Sequence, residues 1–147
     1  MYKRVLLPLD GSPLAEQALP HAIAQAGHSQ AELILLRVIE PWARGTGLSL
    51  AAHERLKQQA ATWAREYLER IAADVQQQGI RVQVVTVDGR PHVEIAEFAE
   101  GNQVDLIVMS TRGQSGLSRW LMGSVADRVV RGATVPVLLV RARKEET

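Results

Sequence analysis

The sequence contains no cysteine, which excludes disulfides, zinc thiolates and a cysteine nucleophile. Neither sign of charge dominates. Lys and Arg number 17, Asp and Glu 16, and the net charge of +1 offers no broad basic surface for nucleic acid. Long apolar runs are also missing, for none approaches the ~20 residues that span a bilayer. The N-terminal run in "MYKRVLLPLDG" is broken by Pro8 and Asp10 and is too short for a signal-peptide core. A soluble, cytoplasmic protein is the expectation. No Gly-x4-Gly-Lys-(Ser/Thr) string occurs, and no lysine stands between Lys57 and Lys144 to neutralise a transferring γ-phosphate. Without these, and without a base paired to an orienting residue, rapid phosphoryl transfer is not expected, and catalytic residues are not assigned.

What is present is ordinary globular composition, 46% apolar and 22% charged, in a chain of 147 residues that is expected to form one domain over 1–147. Apolar runs of strand length alternate with segments of helical period. "RVLLPL" ends at Asp10-Gly11, a stop signal. Ala15, Ala18, Leu19, Ala22 and Ala26 then form one helical stripe, with Gly27 placed to cap it. "AELILLRVI" is a second buried run, followed by a loop of about ten residues, "EPWARGTGLS", which is long for such a connection. Leu56, Ala60, Trp63, Tyr67 and Ile71 mark a long helix running toward Gly79. "IRVQVVTVDG" alternates apolar and polar residues, as an edge strand does. Pro91 opens a short helix, "VDLIVM" is a fourth apolar run, and Val125, Ala126, Val129 and Val130 form another stripe. "VPVLLVRA" closes the series, with Pro136 favouring an edge position. The order β-α-β-α-β-α-β-α-β with continuous apolar strands predicts a five-stranded parallel sheet covered by helices on both faces. Right-handed crossovers make it doubly wound, with a ligand crevice beyond the C-terminal strand ends.

That rule directs attention to two Gly-containing stretches, "PLDGS" after the first strand and "STRGQSGLSRWLMGS" after the fourth. Gly113 and Gly116 let the backbone approach a ligand. Gly123 and Ser124 stand where a helix begins, so free N–H groups there could hold an anion such as phosphate. A connector in which Ser124 is simply a helix cap explains the same composition equally well. Asp10 could likewise pair locally with the first helix. Arg112 and Arg119 could reach phosphate or lie in solvent, and Trp42 could close over a base or pack. Trp120 would anchor the second stretch against the body. His21, His28, His53 and His92 show no ligand spacing and are taken as surface or helix residues.

"LPLDGS", "GRPHVEIAEFAE", "DLIVMSTRG" and "VPVLLVR", in that order along nearly the whole chain, resemble the universal stress protein family. Its nucleotide-binding members carry Gly-x-x-Gly-x9-Gly-(Ser/Thr). Gly113, Gly123 and Ser124 match that pattern here, while its first position is Ser110 rather than glycine. The resemblance implies a doubly wound sheet of order 3-2-1-4-5 and an ATP site, with Mg²⁺ as a possible companion, between strands one and four. It implies that Asp10 bonds the ribose, with Pro8 shaping the turn. Val38 offers adenine an apolar wall and backbone groups, and Met109 and Ser110 line the floor. Gly113, Gly123, Ser124 and Val125 bring amides and a hydroxyl to the phosphates. It also implies a homodimer through the last strand, an unidentified regulatory protein partner, and a nucleotide that orders loops in a stress response. Two alternatives stand beside this. Ser110 motivates a protein-interaction module of the same fold without nucleotide, and Asp88 alone favours a phosphoacceptor receiver.

Overall fold

The computed structural model describes residues 1–41, 47–112 and 124–143. In chain order the elements are β1 (Arg4–Pro8), α1 (Pro13–Glu16), α2 (Leu19–Ser29), β2 (Glu32–Ile39) and α3 (Leu50–Gln76). There follow β3 (Val82–Asp88), α4 (Pro91–Gly101), β4 (Leu106–Arg112), α5 (Val125–Gly132) and β5 (Val137–Ala142). The strands are parallel and ordered β3-β2-β1-β4-β5, with β3 and β5 at the edges as their sequences predict.

Alternate residues of each central strand feed two cores, which is why these runs are apolar without interruption. Val5, Leu7 and Leu9 of the first strand region, Leu33 and Leu35 of β2, and Val108 of β4 face one side. There they meet Ala22 and Ala26 of α2 and Leu68, Ala72 and Val75 of α3. Leu6, Ile34, Leu36, Ile107 and Met109 face the other, against Ile95 and Ala99 of α4 and Ala126 and Val129 of α5.

Three local expectations are corrected. The stripe from Ala15 to Ala26 is two helices rather than one, because Pro20 has no N–H to give the carbonyl four residues back and its ring crowds that turn. Gln17 and Ala18 close α1 with short-range bonds to Leu14 and Ala15 instead. Gly27 does not cap α2, which continues to Ser29 and ends at Gln30 in the left-handed conformation (φ 54°). The buried face of α3 is Ala64, Leu68, Ala72 and Val75, one position away from the expected stripe, and Trp63 is 61% exposed. Small alanines bring the helix close to the sheet, and close approach outweighs the larger apolar residues beside them.

Among the described residues, no helix is long and apolar enough to cross a membrane.

Candidate functional site

The two flanks of β1 differ, and the difference creates a crevice. On the β2 side the ladder runs from Arg4–Glu32 through Pro8–Leu36, and Leu9 N–H extends it by donating to Leu36 O at 2.8 Å. On the β4 side the pairs are Val5–Leu106 and Leu6–Ile107, with none further along among the described residues. Hydrogen-bonding directions alternate along a strand. Arg4 O accepts from Asp105 N–H in β4's direction, and Leu9 N–H points to β2, so the nitrogen of Pro8 faces β4. Proline has no hydrogen to donate there, and the ladder stops. At the opposite end Asp105 clasps the strands together, its Oδ2 accepting from the amides of Lys3 (2.7 Å) and Arg4 (2.8 Å). β1 and β4 are thus tied at their N-terminal ends and part at their C-terminal ends. This lies at the topological switch point, where open α/β sheets place ligands.

Asp10 sits exposed at the mouth. Its Oδ1 accepts from Ser12 N–H at 2.8 Å, and Oδ2 meets no donor among the described residues. Gly11 between them has φ +88°, a conformation that glycine adopts without steric penalty. Ser12 caps α1, its Oγ accepting from Ala15 N–H at 3.1 Å. Local pairing of Asp10 is therefore present, and it leaves one carboxylate oxygen available.

Across the opening, Ser110 is half-buried on the sheet face that carries α1, and its hydroxyl donates to Ala15 O at 3.3 Å. Its Cβ is directed toward α1 rather than toward the α4–α5 face. Met109 has the opposite orientation. Its side chain is buried among α4 and α5 residues, so only its backbone can meet a ligand. Val38 is half-buried on that same face and pairs with Val87 of β3. Ser124 caps α5, its Oγ accepting from Asp127 N–H at 3.1 Å, which realises the capping reading and, among the described residues, leaves the hydroxyl hydrogen to be donated. Val125 is the first residue of α5, at the positive end of the helix. Asp127 adds a negative charge in that first turn, paired with Arg131 at 3.4 Å. Gly113, Gly116, Arg119, Trp120 and Gly123 lie outside the described residues, as do Trp42 and Lys144. The four histidines all lie in helices, and among the described residues no three His, Asp or Glu side chains converge as metal ligands.

One feature escapes the sequence reading. Arg37, a charge set inside the apolar run of β2, places its guanidinium carbon 5.2 Å from the centroid of the Tyr67 ring. A Cβ at Gly11 would lie 3.3 Å from Arg37 Nη1, so this cation packs directly beneath the Asp10–Ser12 turn. The Tyr67 hydroxyl is buried and meets no partner at hydrogen-bonding distance among the described residues, with the Glu16 carboxylate nearby. Burial, and then the nearby Glu16 carboxylate, push its ionisation well above the ordinary phenol range, with Arg37 opposing them. The charge inside "ILLRVI" was the available signal.

A family model described as the universal stress protein family matches residues 1–141. Universal stress protein MJ0531 of Methanocaldococcus jannaschii is 35% identical over 147 residues, covering 99% of this chain and 86% of that one. The solved structure of hypothetical protein MJ0577 superposes with a TM-score of 0.83 at 34% identity, covering 99% of each chain. A universal stress protein solved in complex with cAMP superposes with a TM-score of 0.70 at 26% identity, covering 97% of this chain and 98% of that one. The chain belongs to the universal stress protein family.

Proposed function

We propose that the crevice between β1 and β4 binds an adenine nucleotide, ATP foremost, and that the protein is a nucleotide-responsive stress or regulatory protein of the cytoplasm rather than a fast enzyme. The observation that carries this reading is the parting of β1 and β4 beyond Leu6–Ile107 with Asp10 at its mouth. The open carboxylate oxygen of Asp10 suits a ribose hydroxyl. The N-terminus of α5, with Ser124 and Val125, suits phosphate, because first-turn amides and the helix dipole attract anions. Ser110 does not obstruct this, since its hydroxyl is engaged with Ala15 and its Cβ lies toward α1. Pro8 keeps the strands apart, Val38 and Met109 supply backbone and apolar surface, and Gly113 and Gly123 complete the phosphate contacts. A Mg²⁺ ion in this reading is carried by the phosphates. A relative solved with cAMP makes the nucleotide class chemically natural for this fold.

Equilibrium titration with ATP, ADP, AMP and cAMP, with and without Mg²⁺, tests the proposal. ATP binding is expected, and Asp10→Ala is expected to weaken it about tenfold or more, the usual worth of a hydrogen bond to a charged group. Absence of binding at millimolar nucleotide would sink it and favour the interaction module without nucleotide, the reading motivated by serine rather than glycine at position 110. We further propose a homodimer through β5, whose Leu139 is 43% exposed on an open edge. Sedimentation at micromolar concentration checks it, a monomer mass being the contrary result.

A further inference from the structure

We propose that α1 is a strap coupling the crevice to the free edge of β5, with Gln17 as its fastening. Gln17 immediately follows α1, and its side-chain amide makes a two-point contact with the backbone just beyond β5. Gln17 Nε2 donates to Arg143 O at 2.7 Å, and Arg143 N–H donates to Gln17 Oε1 at 2.8 Å. The direction of these groups is set by the ladder. Ile107 N–H donates to Pro136 O, so even-numbered residues of β5 face β4 and odd-numbered ones turn their N–H and C=O to the outside. Arg143 continues the odd series after Val137, Leu139 and Arg141. The Gln17 amide therefore occupies, at the end of the open edge, the place of one residue of an added strand.

The same short helix is also anchored to the crevice, at its N-terminal cap and at Ala15. Asp10 Oδ1 holds Ser12 N–H, Ser12 caps α1, and Ser110 Oγ donates to Ala15 O. Two breaks isolate α1 from what flanks it: Gly11 at φ +88° before it, and the interruption at Gln17–Ala18 that Pro20 imposes after it. α1 is thus a four-residue element between a glycine turn and a helix break, held by crevice groups at Ser12 and Ala15 and by the β5 edge at Gln17. A ligand that pulls the Asp10 carboxylate away from Ser12 N–H loosens α1 at its cap. Gln17 then releases Arg143, and a further outward N–H and C=O become available to a pairing strand. By linkage, a strand added at that edge favours ligand in the crevice. The identity of the ligand rests on the nucleotide reading above, whereas the mechanical coupling is a property of the chain without ligand.

Amide hydrogen exchange on the full-length protein, resolved residue by residue by NMR, tests the strap directly. Asp10→Ala and Ser110→Ala are each expected to raise exchange at Arg143 about fivefold or more, the lower range of ordinary coupling between sites. Gln17→Leu is expected to do the same at Ser12. Asp10→Asn, which keeps the Oδ1 acceptor, is expected to leave Arg143 as in wild type, and the Leu7 and Leu35 amides report that the sheet is intact. Folded Asp10→Ala and Ser110→Ala proteins with unchanged exchange at Arg143 would overturn the proposal. Added ATP is expected to raise exchange at Arg143 in wild type. ATP that binds and leaves Arg143 unchanged also overturns it. If ATP does not bind, the nucleotide reading fails and the variants alone decide on the strap.

Discussion

β1 has a parallel neighbour on each side, and the two flanks behave differently. Toward β2 the ladder is continuous to Leu9, and every side chain of the strand pair's centre is buried. Toward β4 the strands are clasped by Asp105 at one end and part beyond Ile107 at the other. Both flanks are built from the same apolar residues, so hydrophobicity does not distinguish them. A missing hydrogen does: Pro8 faces β4 and cannot donate. The closed flank supplies stability, and the open flank supplies a place where backbone and carboxylate groups remain available to a ligand.

Mutations on the closed flank are expected to act on stability. Leu35→Ala removes a fully buried side chain and is expected to cost about 2–5 kcal/mol in denaturant unfolding, with nucleotide affinity retained in the folded fraction. At the rim, Gly11→Ala places a side chain at φ +88° against Arg37 Nη1. It is expected to cost about 1–3 kcal/mol and also to weaken nucleotide binding, because it distorts the turn that orients Asp10. Pro8→Ala probes the open flank itself. Restoring an N–H that faces β4 is expected to change stability by less than about 1 kcal/mol, close the strands further, and lower nucleotide affinity by up to about tenfold. If titration shows affinity unchanged while stability falls by several kcal/mol, the contrast between the flanks is broken.

The smallest effect is expected beneath the turn. Tyr67→Phe removes a buried hydroxyl that has no close partner among the described residues, so thermal unfolding at neutral pH should shift little, by no more than about 1 kcal/mol in either direction. At alkaline pH the two proteins should separate. Tyr67 ionises above its ordinary value of 10.0 in the folded state, so the unfolded chain loses that proton first. Its contribution is full below pH 10.0 and declines as pH rises above that value toward the folded-state ionisation. The wild type should therefore lose stability above pH 10.0 more steeply than Tyr67→Phe. Parallel curves would show that the phenol is not held neutral by the fold.

Much of the architecture was legible because a strand buried on both faces must be apolar throughout, and β1, β2 and β4 are. The alternation of Arg81 and Gln83 with apolar neighbours and the proline before β5 likewise marked the edges. Helix faces were less legible. Periodicity located α3, but Trp63 and Ala64 are adjacent stripes, and only the approach of the helix to the sheet chose the alanine. At the crevice, "PLDGS" announced itself through its proline, carboxylate and glycine. Met109 and Ser110 are adjacent in the sequence, yet neighbouring strand residues point to opposite faces, and the fold sends one into the core and the other toward α1.

The sequence by itself determined the order of strands and helices, the family, and the short polar turn that ends β1, since these depend on local pattern. Tertiary structure alone decided that Pro8 faces β4, that Arg37 lies beneath Gly11, and that Gln17 fastens to Arg143 across a separation of 126 residues. Such contacts depend on ladder direction and on which elements the sheet brings side by side, and no periodicity along the chain encodes either.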